Sequence, residues 1–480
     1  MKKIAVLFAI ISIGFLTANG QSGITWSAPV NVATSASGNE HPRIVLDALG
    51  RPLITWHHTA RAMFCKWNGS SFTAPVLVNT ANMQVAGASW MGPDIASHGD
   101  TVYVAYKRMP ENSDTNHIYL VHSFNGGTTF SAPSQVDFIG SNFSRFPTVT
   151  TDNAGNPMLG FMKFDSNFAN AQWAFTKSSD YGSTFSTDVH SSGYSGGNVC
   201  DCCPGTILNS GNTVAVLYRD AYNNIRDQWA AISTNSGATF PSGFTVDNTN
   251  WLLTSCPGSG PDGVIIGDTV ITVYMSGASG TGMAYYSKSS ISGAAIGSNQ
   301  QMTGSFAGLT TQNYPRIANN GNAVAMTWKQ AVSGVDQLGL LFTNNINNGF
   351  PPLYDTVAIN NITNADVAIG NGVIHIVWED DNAGVIKYRK GTFNTSTTAV
   401  PTINGRRLAS TIYPNPATDI LTISNPNKIE NIRIMDAIGN CVLISKDQVL
   451  SVKDLADGIY MIQIVTQNSI ETKRLEKISK

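Results

Sequence analysis

The 480-residue chain predicts an all-β protein: a seven-bladed β-propeller, alternatively six-bladed, followed by a small β-sandwich. Three observations predict it. A strand-turn-strand line recurs about every 50 residues, Gly-rich turns sit at fixed places within each recurrence, and the last seventy residues change character. Only 12% of residues are charged and net charge is −2, so no basic field for nucleic acid exists.

The chain opens MKKIAVLFAIISIGFLTANGQ, two lysines before a short apolar run and then small residues. This reads as a signal peptide over 1–20, too short for a spanning helix. No other segment is apolar enough to span a membrane, which predicts an exported chain passing through the periplasm. Export implies an oxidising compartment, where paired cysteines outlast free thiols.

The propeller is expected over 24–393. Its line is Pro, a β-branched residue two later, a Gly turn, then an alternating strand ending in an aromatic, as in HPRIVLDALGRPLITW (41–56) and YPRIANNGNAVAMTW (314–328). The prolines at 42, 93, 147, 204, 261 and 315 are spaced by 51 to 57 residues, and NADVAIGNGVIHIVW (364–378) gives a seventh unit without Pro. WSAPVNV (26–32) matches the fourth-strand lines FTAPVLV (72–78) and FSAPSQV (130–136) but has no first three strands of its own. The seventh unit lacks a fourth. Pairing the two closes the ring and removes both sheet edges.

Ser178-x-Asp180-x-Gly182-x-Thr184-Phe185 lies in one third-strand turn, and the lines from Ser123 and Ser233 repeat it with Asn for Asp. The acid or amide suits a turn backbone, Gly takes positive φ, and the aromatic is expected between blades. These residues read as structural. Behind a linker at 394–412, segment 413–480 alternates apolar residues in short strands, with a turn at 437–440.

In an antiparallel blade the loop entering the first strand and the loop leaving the second share one face. Entering loops place His41, Arg43, Trp90, Tyr314 and Arg316 there; leaving loops place His57, His58, Lys107, Arg108, Asp165, Arg219, Asp220 and Glu379. In a chain so poor in charge this concentration predicts a binding face, although loops are polar in any protein. Cys200, Cys202 and Cys203 enter the fourth unit and Cys256 a comparable place in the fifth. Disulfides between these loops are the leading expectation, Cys202–Cys203 as a vicinal bridge being one form. No cofactor is expected, but a soft metal held by the four cysteines, with His41 or His57, is a second possibility. A nucleophilic thiol is a third.

Two resemblances add to this. YPNP (413–416), D-x-x-G and L-x-x-GIY with a Lys/Arg-rich end resemble the type A C-terminal sorting domain of the type IX secretion system of Bacteroidota. That implies engagement of this machinery and a secreted or outer-surface destination. The Ser178–Phe185 line is an Asp-box, and 24–393 resembles the sialidase-like (BNR-repeat) propellers. That family implies three arginines on a sugar carboxylate, a Tyr nucleophile backed by Glu, and an Asp acid/base. Arg43, Arg219 and Arg316, Tyr314 with Glu379, and Asp220 or Asp165 are the candidates here. His41-Pro42-Arg43-Ile44 keeps the family's Arg-Ile with Pro shifted ahead. An inter-blade ion pair is the competing role for each arginine. The leading function is glycan or glycoprotein binding at the polar face; an exo-α-sialidase-like hydrolase and a purely structural surface propeller are the alternatives.

Overall fold

The computed structural model describes residues 23–32, 37–111, 116–140, 142–394, 410–425, 428–436, 441–466 and 469–479. The 1–20 segment, the 437–440 turn and residues 395–409 of the 394–412 linker lie outside them. The chain divides into two compact units, 1–396 and 397–480.

In the first unit, seven antiparallel sheets follow one another among the described residues. The first contains Asn39–Leu46, Pro52–His58, Ala62–Lys66 and Val76–Leu77 in that order. Each innermost strand packs on the innermost strand of the next sheet, and the last, Ile362–Gly370, packs on Asn39–Leu46. The sheets therefore close into a ring. Its seam is the one expected: Ile24–Trp26 and Val30–Asn31 run antiparallel to Val385–Phe393 and complete the last sheet from the chain's other end.

The recurring aromatic explains the packing. Trp56, Tyr106, Phe161, Tyr218, Tyr274, Trp328 and Trp378 occupy the second strands and are all buried. Each buries apolar area on the order of 150–250 Å², which makes the wedge between neighbouring sheets the core of the molecule.

The third-strand turns are held by their own side chains. Ser178 Oγ donates to Asp180 Oδ1 (2.7 Å) and accepts from Gly182 N–H (2.8 Å), while Thr184 N–H donates to Asp180 Oδ1 (2.8 Å). The Ser123 and Ser233 turns repeat these bonds through Asn125 and Asn235. Bonds from Thr184 and Ser178 to its carboxylate hold Asp180 down at about 2. Phe185 packs into the cluster shared by the second and third sheets.

Among its described residues the second unit has two sheets, Thr411–Tyr413 with Ile420–Ser424 and Val449–Ser451, and Ile429–Met435 with Cys441–Ser445, Gly458–Thr466 and Ser469–Lys477. Leu421, Ile432, Ile434, Ile462, Ile464 and Leu475 form its core, one face of each alternating strand.

Candidate functional site

An innermost strand is an edge: half of its N–H groups face the axis with no strand to pair. In four of the seven units the sequence answers this with a side-chain acceptor at the position after the recurring Pro. Asp94 Oδ2 accepts Val149 N–H (2.9 Å), Asp262 Oδ2 accepts Ile317 N–H (3.0 Å), and Asp366 Oδ2, after Ala365 in the unit without Pro, accepts Ile44 N–H (3.0 Å). Thr148 Oγ1 does the same for Ile207 (3.3 Å). Each bond joins one sheet to the next.

Three carboxylates in one channel need counter-charges, and the same repeat position supplies them as Arg43 and Arg316. Arg316 Nε lies 3.0 Å from Asp366 Oδ1 and 3.3 Å from Asp262 Oδ2, bridging the fifth, sixth and seventh sheets. Burial opposes its charge, yet Asp262, Asp366 and Asp94 together raise its pKa above the usual arginine value. Burial and the neighbouring Arg316 lower Arg43 to about 10. Burial raises Asp94 and Asp262 against the pull of the arginines.

At the end of this channel where the first strands enter lies a shallow mouth. His41, Trp90, Phe146, Tyr314 and Asn364 line it, with the two arginines at its floor. His41, Phe146 and Tyr314 each precede a recurring Pro, and each has left-handed backbone (φ 54°, 54° and 50°). In all three strands the register slips at that point, from Glu40 to Arg43, Arg145 to Thr148 and Asn313 to Arg316. A bulge turns the same position toward the axis three times, at a strain of about 1–2 kcal/mol per non-glycine residue. The His41 ring lies against Gly92, where a Cβ would come within 2.6 Å of it. Burial, then Arg43 and Arg316, push its pKa well down, so the imidazole is neutral. Its backbone N–H donates to Glu379 Oε2 (3.2 Å), and burial raises that carboxyl to about 8.

The structure thus gathers His41, Arg43, Trp90, Tyr314 and Arg316 at one mouth, with Glu379 beneath His41. Several expected members are elsewhere. Arg219 is fully buried and spent on carbonyls: Nε donates to Ser259 O (2.9 Å), Nη2 to Met275 O (2.7 Å), Nη1 to Arg226 O. It cannot complete a carboxylate-gripping triad with Arg43 and Arg316. Asp220 is buried and accepts from Ser195 Oγ (2.7 Å) and Tyr222 N–H (3.0 Å). Asp165 organises its own turn through Asn167 and Ala169 N–H and Asn170 Nδ2. Lys107, expected on the face, is sequestered against Asn116, and burial lowers it to about 8. Arg108 leans over Tyr119, its guanidinium carbon 6.0 Å from the ring centre. His57 accepts Ala60 N–H at Nε2 (3.0 Å) and turns Nδ1 to Glu40 (3.4 Å); His58 borders the Gly38 turn. The aspartates and Asn364 were missed as site residues, although aligning the repeats on Pro places Asp and Arg at one position.

Cys200, Cys202, Cys203 and Cys256 form a separate group, close in sequence to Pro204 and Gly258, which line the mouth. Cys202 and Cys256 are joined by a disulfide. This excludes a Cys202–Cys203 bridge and leaves Cys200 and Cys203 as buried thiols with their sulfurs 3.0 Å apart. Cys200, Cys202 and Cys203 sulfurs lie within 4.8 Å of one another. A disulfide sulfur is no thiolate ligand, so the closed bridge leaves two donors, and the arrangement does not fit a three-thiolate metal centre.

Residues 411–477 match the family model described as "Secretion system C-terminal sorting domain". This is the type IX sorting domain, and the chain is exported to the cell surface or beyond. Among the described residues no helix is long and apolar enough to cross a membrane. No curated protein matches the chain. Among solved structures, a protein of unknown function from Dyadobacter fermentans is 12% identical, with 78% of this chain and 100% of that one covered and a TM-score of 0.47. The α-L-arabinofuranosidase Arb93A of Fusarium graminearum is 12% identical, with 67% and 98% covered and a TM-score of 0.45. Trypanosoma rangeli sialidase is 10% identical, with 92% and 84% covered and a TM-score of 0.41.

Proposed function

We propose that the propeller binds an extracellular glycan or glycoprotein at the axial mouth, with Trp90 and Tyr314 as apolar shelves and Asn364 and His41 as polar contacts. One observation carries this reading. Three sheets spend backbone strain to hold His41, Phe146 and Tyr314 at the mouth, beside a Trp90 that is 42% exposed. Strain held at equivalent positions around one opening marks a surface kept for a ligand. Aromatic faces with a few polar groups suit the apolar faces and hydroxyls of sugars.

The hydrolase reading has weaker support. Glu379 at about 8 holds a proton at neutral pH, as a general acid must. Against it, Arg316 is already paired with Asp262 and Asp366 and Arg219 is enclosed, leaving no free arginine triad for a carboxylate.

The test is binding to an array of extracellular glycans, alongside turnover of a fluorogenic sialoside. Binding without turnover is expected, and Trp90→Ala should weaken it about thirtyfold, the roughly 2 kcal/mol of a central aromatic anchor. Sialoside turnover that survives purification would replace this reading with the hydrolase. Binding undiminished in Trp90→Ala would move the ligand away from the mouth. Arg316→Ala is unsuitable as a control, because it strands two buried carboxylates.

A further inference from the structure

Four cysteines meet where the fourth and fifth sheets adjoin, yet one disulfide uses only two of them. Cys200 and Cys203 are each 1% exposed. Their sulfurs are 3.0 Å apart, and the Cys200 sulfur is also 3.6 Å from that of Cys202, one end of the existing bridge. Thiols, disulfide and a path between them are in place. We infer that the quartet is an internal thiol–disulfide relay, in which the disulfide held by Cys202 and Cys256 passes to Cys200 and Cys203.

The chemistry balances within the chain. The Cys200 thiolate attacks Cys202 Sγ, a Cys200–Cys202 bond forms, the Cys202–Cys256 bond breaks, and Cys256 leaves as a thiolate that takes a proton from water. Cys203, after giving up its proton, attacks Cys200 Sγ; a Cys200–Cys203 bond forms and Cys202 leaves as a thiolate that takes up that proton. Two thiols are oxidised, one disulfide is reduced, and no outside oxidant is consumed. The surroundings favour the first step. A hydrogen bond from Cys203, with Arg219 and Arg226 nearby, brings Cys200 down to about 7 against the effect of burial, so a thiolate is available at neutral pH. The group released in that step, Cys256, is exposed to solvent.

The position of the bond has a consequence for the mouth. Cys202–Cys256 staples the loop before Pro204 to the loop before Pro261, whereas Cys200–Cys203 would close within one turn, where Cys203 N–H already donates to Cys200 O (3.3 Å). Gly258, Ser259 and Gly260 line the mouth. Migration of the disulfide therefore unstaples one wall. This inference stands whether or not the ligand is a glycan.

The experiment uses the full chain with the Cys202–Cys256 disulfide it holds, kept without oxidant or added reductant, quenched in acid, unfolded, alkylated and mapped by peptide mass. Expected is a species with Cys200 and Cys203 protected and Cys202 and Cys256 alkylated. Cys200→Ser, which leaves the staple intact, should lose that migration and keep only Cys202–Cys256. Finding only Cys202–Cys256 in the unsubstituted chain after prolonged incubation would overturn the relay. So would Cys200–Cys203 forming equally fast in the Cys202→Ser/Cys256→Ser chain, which has no disulfide to hand over.

Discussion

Glu379 and His375 lie on one strand, Val373–Asp380, and pull the pH dependence of stability in opposite directions. Burial raises Glu379 from 4.5 to about 8. Folding therefore takes up a proton between those values, and stability falls as pH rises through that window. Burial lowers His375 from 6.5 to about 4, with Lys390 adding to it. Its neutral ring favours the fold above pH 6.5, and that contribution is lost as pH falls toward 4. Thermal melts from pH 4 to 9 should show a broad maximum between about pH 4.5 and 6.5, where the two slopes offset one another. Glu379→Gln should flatten the alkaline limb and leave the acid limb in place; an unchanged alkaline limb would contradict the assignment.

At the scale of the element, the third-strand turn is a spacer between sheets. Gly127, Gly182 and Gly237 take φ of 75°, 90° and 78°, and a Cβ there would approach Phe64, Leu120 and Phe175 of the preceding sheet. At Gly237 the approach is 2.0 Å to a ring carbon. Gly237→Ala combines left-handed strain with overpacking and should cost about 2–4 kcal/mol in denaturant unfolding. Ala tolerated there at no cost would mean the turn does not bear on its neighbour.

For the whole molecule, ring closure rests on the two short strands near the start of the first unit. Trp26 Nε1 donates to Asp355 Oδ2 of the sixth sheet (2.9 Å), and the Arg389 guanidinium carbon lies 5.3 Å from the Trp26 ring centre. Removing residues 21–31 would expose the Val385–Phe393 edge and uncover Ile24 and Trp26's partners, Phe393 among them. The shortened chain is expected to melt at lower temperature and to self-associate, as read by scanning calorimetry and light scattering. An unaltered melt would show that the seam carries no stability.

The sequence by itself determined the repeat, its strands and its turns, because strand periodicity, glycine with positive φ and buried aromatics are local demands met within each unit. It also located the mouth's members at His41, Arg43, Trp90, Tyr314 and Arg316, since a fixed repeat position maps to a fixed height on the axis. What only the tertiary structure decided is which charged groups are free. Arg219 is consumed by carbonyls from other loops, Lys107 is drawn inward to Asn116, and Arg316 answers aspartates 54 and 50 residues away. The partition of four cysteines into one bridge and one thiol pair is of the same kind. A side chain's type is written in the chain, but its partners depend on distances between sheets, which exist only once the ring has closed.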